Sequence, residues 1–482
     1  MNRKMPILSI LFILLIALVS FIFHYPVHIE NALTHQPEIG FGLEPSLWRT
    51  VFEPFLGLLL YFNRAFYAID EFTMVLIWMI GIFFIYNLFQ YGKKENKQLK
   101  KRFLLKQLFN LVLLVGIWFS MFVFIIFVEL PNDRMVNKTS EWVLVTTHSH
   151  TDFSHDGLIS EESLLKWHQR NGFDAFFITD HNNHRQTLEF VNSRLGKSNP
   201  DEPVVFCGEE FSGSNHLSLL GLKTNFATKG QPDSVVVTKA RSEGAAILVN
   251  HWFDGEHKSL EYYRNLGVDG LEIENTATDK RYNREVYQRI RSFCESNNLI
   301  MNGGLDFHGY GSACTLWNAF KIPEWKNKSY QEKEEAVLNI IKTRDQDKLK
   351  VLLLNDRPYY DKKYLLFHPF VALFTYFRTL IFLQVLSWAC WILAFAFVNI
   401  RLNSKPGLAQ KFTCNHILPL AGFVASLFLV GLGLIYFSRI QHVEGFTNMY
   451  PSYGLFLCLP GFVLLVLSGI LVFFRNYKQK NI

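Results

Sequence analysis

Hydrophobic residues concentrate at both ends of the 482-residue chain and leave a polar middle. A helix that crosses the hydrocarbon core of a bilayer needs roughly 20 apolar residues. Six uncharged runs reach about that length, at about 6–24, 72–91, 107–128, 379–400, 417–438 and 454–474. We therefore predict six transmembrane helices, because buried helices of a soluble protein rarely contain uncharged runs this long.

These runs divide the chain into a membrane region over 1–129, a polar domain over 130–365 and a second membrane region over 366–482. Two further apolar stretches, 51–69 and 365–378, contain proline and charged residues and predict interfacial helices that do not span. The first run could instead be a cleaved signal peptide. No small-x-small cleavage site follows its apolar core, which favours an uncleaved anchor.

Lysine and arginine cluster at both termini and in the loops at 92–106 and 401–411. The loop at 92–106 has seven basic residues and one acidic residue. Because basic loops stay on the cytoplasmic side, we predict a multi-pass protein whose polar domain lies on the extracytoplasmic side, together with 25–70. The sequence pI of about 8.8 comes largely from these loops, so it does not indicate a nucleic-acid partner.

In the polar domain, short β-branched or apolar runs alternate with helical patterns. The predicted strands are 142–148, 174–180, 203–209, 216–222, 245–251, 268–274 and 299–306. Alternation of strand and helix indicates a parallel sheet covered by helices. Seven units in roughly 180 residues favour an α/β fold of the distorted (β/α)7 barrel type over an open sheet. Because the fourth strand begins, and does not end, with a histidine, we predict that it runs antiparallel or lies at an edge.

Histidine and acidic side chains collect at the carboxyl ends of the other predicted strands, where ligands bind in parallel β/α folds. In chain order they are His148, His150, Asp180, His181, Glu209, Glu210, His251, Asp306 and His308. Residues i and i+2 of a strand share a face, so His148 with His150, and Asp306 with His308, can each reach one ion. Adjacent residues of a strand point to opposite faces, so only one of Glu209 and Glu210 can face the site. Nitrogen and oxygen donors without thiolates suit Zn²⁺, Mn²⁺ or Fe²⁺.

Cysteine takes no part in this pattern. The six cysteines include no CxxC pair, and only Cys207, Cys294 and Cys314 fall in the polar domain. Cysteine therefore neither frames the fold nor supplies the metal ligands.

The segments that contain these residues occur in the order of a known family's motifs. They are HSHTDFSHDG, ITDHN, GEEFSGSNHLSLLGL, NHW, GLEIEN and GLDFHG, all between about 146 and 310. Together they resemble the PHP (polymerase and histidinol phosphatase) superfamily of metal-dependent phosphoesterases. The resemblance implies a distorted seven-stranded β/α barrel with a trinuclear site. It assigns metal ligation to His148, His150, Asp156, His181, Glu210, His216, His251, Asp306 and His308.

The first motif departs from the family pattern through an inserted His155, so His155 or Asp152 could compete with Asp156 for metal. Nine ligands exceed what one ion needs, so we predict two or three divalent ions with bridging carboxylates. Glu272 and Glu274 share a predicted strand face and could anchor ligands, or one could face a helix.

The predicted function is a membrane-anchored hydrolase that cleaves phosphate monoesters or diesters by attack of metal-bound hydroxide. Asp180 would orient a neighbouring ligand, and His155 or His184 could protonate the leaving group. Arg185, Lys280 and Arg281 are candidate phosphate ligands, although each could be a solvated helix residue. The predicted partners are the lipid bilayer and a phosphorylated small molecule or lipid-linked phosphate.

Two other classes of protein remain open. A sensor or receptor could bind metal or a phosphorylated ligand without turnover, but no cytoplasmic signalling domain would receive its message. A transporter is disfavoured because no predicted span has a charged residue near its centre.

Overall fold

The structure is a computed structural model. It describes residues 4–62, 68–93, 97–196, 199, 201–254, 258–276, 284–311, 313–357, 366–403, 414–439 and 449–480. Within them the helices are α1 (Lys4–Ile22), α2 (Leu47–Val51), α3 (Glu53–Phe62), α4 (Ala68–Gly92), α5 (Lys97–Phe127), α6 (Glu161–Arg170), α7 (Arg185–Arg194), α8 (Asp233–Ser242), α9 (Leu260–Leu266), α10 (Arg284–Asn297), α11 (Tyr330–Thr343), α12 (His368–Thr379), α13 (Phe382–Asn403), α14 (Cys414–Ser438) and α15 (Tyr450–Lys480).

Five of these helices are long and apolar enough to cross a membrane. The candidate spans are Phe72–Gly92, Lys100–Phe127, Phe382–Arg401, Ile417–Ser438 and Tyr450–Val472. They agree with five of the six predicted spans. The run at 6–24 forms α1, but its described apolar part, Ile7–Ile22, is shorter than the other five, so a sixth span stays a prediction. The stretches at 51–69 and 365–378 contribute the short helices α3 and α12.

Small residues let α14 and α15, which contain the last two candidate spans, pack closely. A Cβ atom added at Gly433 of α14 would lie 2.6 Å from Cys458 Sγ and 2.9 Å from the Gly454 carbonyl oxygen of α15. On α5, a Cβ at Gly116 would lie 2.3 Å from a methyl carbon of Leu464. Glycine at such positions allows helices in a bilayer to approach closely, and here it brings the carboxyl end of α5 beside the start of α15.

The polar domain is built on a large mixed sheet. Its strands are β1 (His28–Asn31), β2 (Gln36–Pro37), β5 (Trp142–Thr146), β6 (Ala175–Ile178), β7 (Val204–Ser212), β8 (His216–Leu220), β9 (Ala246–Val249), β10 (Gly270–Asn275), β11 (Ile300–Gly304), β12 (Leu316–Lys321) and β13 (Leu349–Asn355). They lie in the order β11-β10-β9-β8-β7-β6-β5-β12-β13-β1-β2, and β3 (Phe41–Glu44) pairs separately with β4 (Arg134–Asn137).

The seven predicted strands correspond to β5 through β11. β5, β6 and β7 pair in parallel, as do β9, β10 and β11, whereas β8 is antiparallel to both of its neighbours. The antiparallel direction predicted for the fourth strand is confirmed. Because β8 runs against the others, His216 at its start lies at the same edge as the carboxyl ends of the parallel strands.

The sheet extends beyond the predicted seven strands. β12 pairs antiparallel with β5, and β13 pairs antiparallel with β12. β1 then pairs with β13, from His28 opposite Asn355 to Asn31 opposite Leu352. β1 belongs to the chain region that the sequence assigned to the first membrane part. Isolated strands and hairpins are marginally stable, so β1 gains its stability by joining the sheet. The segment around 28–44 therefore lies on the same side of the membrane helices as the polar domain.

The first and last of the seven predicted strands, β5 and β11, come together just beyond their carboxyl ends. Ser149 and Phe307 form an isolated parallel bridge, and the Asn318 side chain hydrogen-bonds both the backbone N–H and the carbonyl of Gly303 at 2.8 Å. One buried cluster also combines side chains of β5 to β9, β11 and β12 with the apolar face of α11. Within the described residues, no continuous ladder joins β11 to β5.

Candidate metal centre

The ends of β5 and β11 hold four of the predicted ligands in a fixed register. The His150 N–H donates to the Phe307 carbonyl at 2.9 Å, and the Asp306 N–H donates to the His148 carbonyl at 3.0 Å. The Nε2 atoms of His148 and His150 lie 3.0 Å apart. The two histidines therefore point to one side of the sheet edge, as their i and i+2 spacing predicts.

Three overlapping groups of side chains have the composition of metal sites. They are His150, Asp156, His181 and His308; His148, His150, Glu210 and Asp306; and His181, Glu210 and His216. Within each group, one donor atom from every residue lies within 4.8 Å of the others. His150, His181 and Glu210 each belong to two groups, so the three groups form one connected cluster.

Glu210 lies at the centre of this cluster. Its Oε2 is 3.2 Å from His148 Nε2, 3.2 Å from His150 Nε2 and 3.3 Å from His181 Nδ1. Its Oε1 is 3.1 Å from His216 Nδ1 and 3.2 Å from His251 Nε2. Two ligands that are each about 2.0–2.2 Å from one ion lie about 3–3.5 Å apart. These separations suit donor atoms that share divalent ions.

The buried Oε2 of Glu210 also supports a metal site. Despite its close contacts, it has no hydrogen bond of acceptable geometry to any part of the chain that the structure describes. Leaving a buried carboxylate oxygen in that condition is unfavourable unless a cation compensates it. The orphaned oxygen therefore fits a ligand of a positive ion.

The remaining two carboxylates hold the other side of the cluster. Asp306 Oδ1 lies 3.2 Å from His148 Nε2 and 3.1 Å from His150 Nε2. Asp156 Oδ2 lies 3.2 Å from the Nε2 atoms of both His181 and His308. All nine predicted ligands, including His216 and His251 beside Glu210, therefore meet at one edge of the sheet.

Charge interactions within the cluster keep its carboxylates ionised. Burial alone would raise the pKa of Glu210 and Asp306, but the neighbouring histidines, His148 foremost, lower both pKa values well below the usual range. Burial alone would lower the pKa of His150, but Asp306 and Glu210 raise it to about 10. The protons on these histidines compensate the charge of the buried carboxylates. A divalent ion would replace them, so metal binding should release protons.

Backbone strain also concentrates at the cluster. Asp306, His251 and Asn182 have positive φ angles of 52°, 23° and 49°, although none is glycine. Such conformations each cost about 1–3 kcal/mol and persist where the surrounding structure fixes them. All three residues follow strands of the sheet, where the chain must turn while its side chains remain near the cluster.

Several residues orient the ligands from behind. Glu272 accepts hydrogen bonds from His148 Nδ1 at 2.9 Å and from the His251 N–H at 2.9 Å. The Asn250 side chain donates to Glu210 Oε1 at 2.8 Å. The sequence offered both Glu272 and Glu274 as anchors, and these contacts place Glu272 directly behind the ligands. Asn250 was missed, although its position directly before His251 was the available signal.

Asp180 lies buried beneath the first motif. It accepts hydrogen bonds from the Thr151 N–H at 2.6 Å and the Thr151 hydroxyl at 2.7 Å. Burial, partly opposed by His150, raises its pKa to about 6. This placement suits the predicted orienting role, because Asp180 fixes the loop that carries His150 and Asp156. The role itself stays a prediction.

The two histidines predicted as proton donors have different surroundings. The His155 ring lies 4.8 Å from the His181 ring, and its Nε2 is 3.8 Å from Asp156 Oδ2, at the exposed rim of the cluster. His184 is buried, with Nδ1 paired to Glu209 and Nε2 3.0 Å from the Thr224 carbonyl. Its catalytic role therefore gains no support from the geometry and stays a prediction.

The same contacts separate the two adjacent glutamates. Glu209 pairs with His184 on one face of β7, while Glu210 enters the cluster on the other. Strand alternation predicted that only one could face the site, and tertiary contacts identify which.

Two other described candidates, Asp152 and Arg185, do not belong to the three ligand groups. Asp152 accepts a hydrogen bond from the Tyr450 hydroxyl at 3.1 Å. The exposed Arg185 pairs with Glu189, four residues further along the same helix. Lys280 and Arg281 lie outside the described residues.

Comparison with known proteins is consistent with this geometry. Residues 146–265 match the family model of the PHP domain, which is less than half of the chain. No curated protein is detectably similar to the chain.

Three solved structures show distant similarity. A two-domain protein from Bacteroides vulgatus that contains a predicted PHP-like metal-dependent phosphoesterase is 18% identical, with a TM-score of 0.36. The match covers 44% of this chain and 65% of that one. A candidate metal-dependent phosphoesterase from Bifidobacterium adolescentis is 15% identical over 35% of this chain and 88% of its own, with a TM-score of 0.29. PsfC from Pseudomonas syringae is 16% identical over 43% of this chain and 98% of its own, with a TM-score of 0.32.

Proposed function

We propose that this protein is a membrane-anchored, metal-dependent phosphoesterase that hydrolyses phosphate monoesters or diesters. The observation that carries the proposal is the meeting of six histidines and three carboxylates, from separate segments of the chain, at one edge of the sheet. Chance clustering does not explain a buried set in which the donor atoms of different segments approach to about 3 Å. The match of 146–265 to the PHP domain supports the same reaction class.

Two or three divalent ions, of Mn²⁺, Zn²⁺ or Fe²⁺, would occupy the three ligand groups. The donor set fits these ions because it combines imidazole nitrogen with carboxylate oxygen and contains no thiolate. When bound, they would supply Lewis acidity toward phosphoryl oxygens and lower the pKa of water. The shared residues His150, His181 and Glu210 would hold neighbouring ions close together.

The chain's own groups prepare this reaction. Glu272 holds His148 by its Nδ1 atom, which leaves Nε2 directed toward Glu210 and Asp306. Hydrolysis forms a bond from water oxygen to phosphorus and breaks the bond to the leaving oxygen, which needs a proton. His155 lies at the open rim beside Asp156, where a histidine can deliver that proton.

We further propose that β5 to β11 curve into the distorted (β/α)7 barrel and that this domain lies on the extracytoplasmic side. The bridge between Ser149 and Phe307 and the shared apolar cluster support curvature that brings the first and last strands together. The basic segment at 92–106, which follows the span Phe72–Gly92 and continues into the start of α5, supports the orientation.

The test is metal-dependent hydrolysis by the full-length protein in detergent micelles. Mn²⁺ or Zn²⁺ is titrated in with p-nitrophenyl phosphate as the monoester and bis(p-nitrophenyl) phosphate as the diester. We expect Asp306→Asn to lower kcat/KM more than about 100-fold, since loss of a metal ligand removes several kcal/mol of transition-state stabilisation. Asp201→Asn, in an exposed turn, is the matched control and should behave as the wild type.

Metal-dependent turnover that Asp306→Asn abolishes would establish the activity, and the two substrates would separate monoesterase from diesterase. A folded protein that binds metal but cleaves no ester would overturn the proposal and favour a sensor.

A further inference from the structure

The candidate metal centre faces the ends of two membrane helices. The Gly311 N–H, three residues beyond His308, donates to the Ile126 carbonyl of α5 at 2.9 Å. The Tyr450 hydroxyl at the start of α15 donates to Asp152 Oδ2 at 3.1 Å. Leu158, which follows the first motif, is buried in a cluster formed mainly by α5, α14 and α15. The loops that carry ligands are therefore fixed directly against the membrane helices.

A cavity of about 200 Å³ lies at this junction. Its polar end is formed by Asp306 and His308 of the metal centre. Its other walls include aromatic side chains from two candidate membrane spans: Phe119, Phe122 and Phe127 of α5, and Tyr453 and Phe456 of α15. The cavity thus joins the ligand cluster to an apolar surface formed by α5 and α15.

One lining residue of the cavity lies at the surface that a bilayer would cover. Phe456 is 57% exposed and lies within the span Tyr450–Val472. It packs edge-to-face against Phe119 of α5, with ring centroids 5.5 Å apart. A hydrocarbon chain in the cavity would therefore meet the bilayer beside the exposed Phe456 ring.

We infer that the substrate is a phosphate ester of a long hydrocarbon chain, with its phosphate at the ligand cluster and its chain in the aromatic cavity. This inference rests on the proposed phosphoesterase function. A sugar or nucleoside in the same cavity would lose the hydration of its hydroxyl groups against phenylalanine rings, which is unfavourable without replacement hydrogen bonds. A hydrocarbon chain gains from the same burial.

The reaction is hydrolysis of the ester. Water oxygen forms a bond to phosphorus as the bond between phosphorus and the lipid oxygen breaks. The lipid leaves as an alcohol after its oxygen takes a proton, and inorganic phosphate stays at the cluster for release. No oxidant, reductant or second substrate is needed.

A series of n-alkyl phosphates from ethyl to dodecyl tests the inference, because its members have nearly the same leaving group and differ in chain length. An apolar cavity of about 150 Å³ holds a benzene-sized molecule, so this one should hold about eight carbons. We expect kcat/KM of the full-length, Mn²⁺-loaded protein to rise up to about threefold to fourfold per methylene over those carbons, and then to level off. Calorimetric titration with dodecyl phosphate provides a binding readout that does not need turnover.

Variants separate the cavity from partition of the substrate into detergent. Val123 lines the cavity and is buried, so Val123→Trp should occupy part of the cavity and lower the dodecyl-to-ethyl ratio of kcat/KM at least about tenfold. Val466→Trp makes the same change at a 58% exposed position on α15 and should leave the ratio unchanged. Phe456→Ala removes an exposed side chain that lines the cavity and leaves the packing of the buried core unchanged. It should lower the dodecyl-to-ethyl ratio of kcat/KM by a smaller factor.

The outcomes distinguish this inference from the proposed function. Equal hydrolysis of ethyl and dodecyl phosphate, or equal effects of Val123→Trp and Val466→Trp, would overturn the lipid substrate while leaving a phosphoesterase. Chain-length-dependent binding without hydrolysis of any ester would overturn the proposed function and, with it, the assignment of the lipid phosphate as substrate.

Discussion

Glu210 shows how much one side chain organises at the residue scale. Its two carboxylate oxygens contact five histidine rings, and no other described acidic side chain of the cluster has as many such contacts. The neighbouring Glu209 faces the opposite way and pairs with His184. A one-residue shift along β7 would exchange these environments, since successive strand residues point to opposite faces. The position of Glu210 therefore depends on the register of β7 with β6 and β8.

The orienting contacts of Glu272 lead to a first prediction. Glu272→Gln keeps the size of the side chain but removes the charge that faces His148 Nδ1. Because residues that orient metal ligands set ligand basicity and direction, we expect metal affinity to fall about 10–100-fold. Competition with a metal chelator, titrated against the full-length protein, measures this change.

Glu295→Gln, at an exposed site on α10, is the control for that substitution and should leave affinity unchanged. Circular dichroism without added metal should show both variants folded. An unchanged metal affinity in Glu272→Gln would contradict the orienting role.

At the scale of elements, α6 carries a histidine that the fold holds neutral. The His168 ring is fully buried, stacks on Phe176 of β6 at 4.1 Å and places Nδ1 2.9 Å from the Leu164 carbonyl. Burial lowers its pKa to about 3, with the Leu164 carbonyl opposing the shift. His168 therefore acts as a core aromatic residue of α6 and not as a metal ligand.

This burial predicts a pH dependence of stability. Between about pH 6.5 and 3, the unfolded state binds a proton at His168 that the folded state does not. The free energy of unfolding should therefore fall with falling pH, by about 2 kcal/mol from pH 7 to 5 from this group. His168→Phe should remove this contribution, so its free energy of unfolding should fall less between pH 7 and 5 than that of the wild type. Chemical unfolding of the full-length protein at both pH values measures the difference between the two proteins.

His24→Phe, an exposed substitution, should retain the full pH dependence of the wild type. If the free energy of unfolding of wild type and of His168→Phe falls by the same amount between pH 7 and 5, the prediction that folded His168 is neutral is wrong.

At the scale of the whole molecule, the sheet and the membrane helices are joined at several points. β1, which follows α1 in the chain, pairs with β13, and the candidate metal centre lies beside the ends of α5 and α15. The polar domain therefore packs directly against α5 and α15. This arrangement fixes the position of the cavity between the ligand cluster and the candidate spans of α5 and α15, because the residues that line it belong to packed elements.

The orientation of the chain gives a prediction at the same scale. In a background with Cys390→Ser and Cys414→Ser, Lys166→Cys on α6 and Lys101→Cys on α5 both place a thiol at exposed positions. If the basic loop is cytoplasmic, right-side-out vesicles should react with a membrane-impermeant maleimide at position 166 immediately and at position 101 only after permeabilisation. The reverse pattern of labelling would place the polar domain in the cytoplasm.

Much of the candidate site could be predicted from the sequence. Strand period and motif order place His148 with His150 and Asp306 with His308, and the side chains of each pair do approach each other. The choice of Glu210 over Glu209, and the burial of His184 away from the cluster, could not be predicted in the same way. Both depend on side-chain contacts between strands and loops that are distant in the sequence.

The sequence by itself determined the apolar helices and the edge of the sheet where the ligands collect. A helix satisfies its backbone hydrogen bonds locally, and the ends of parallel strands share one edge, so both features follow from local pattern. Only the tertiary structure decided that β1 joins the sheet and that α5 and α15 line a cavity beside His308. The physical reason is that these contacts join segments far apart in the chain, and no local periodicity encodes which distant surfaces will pack together.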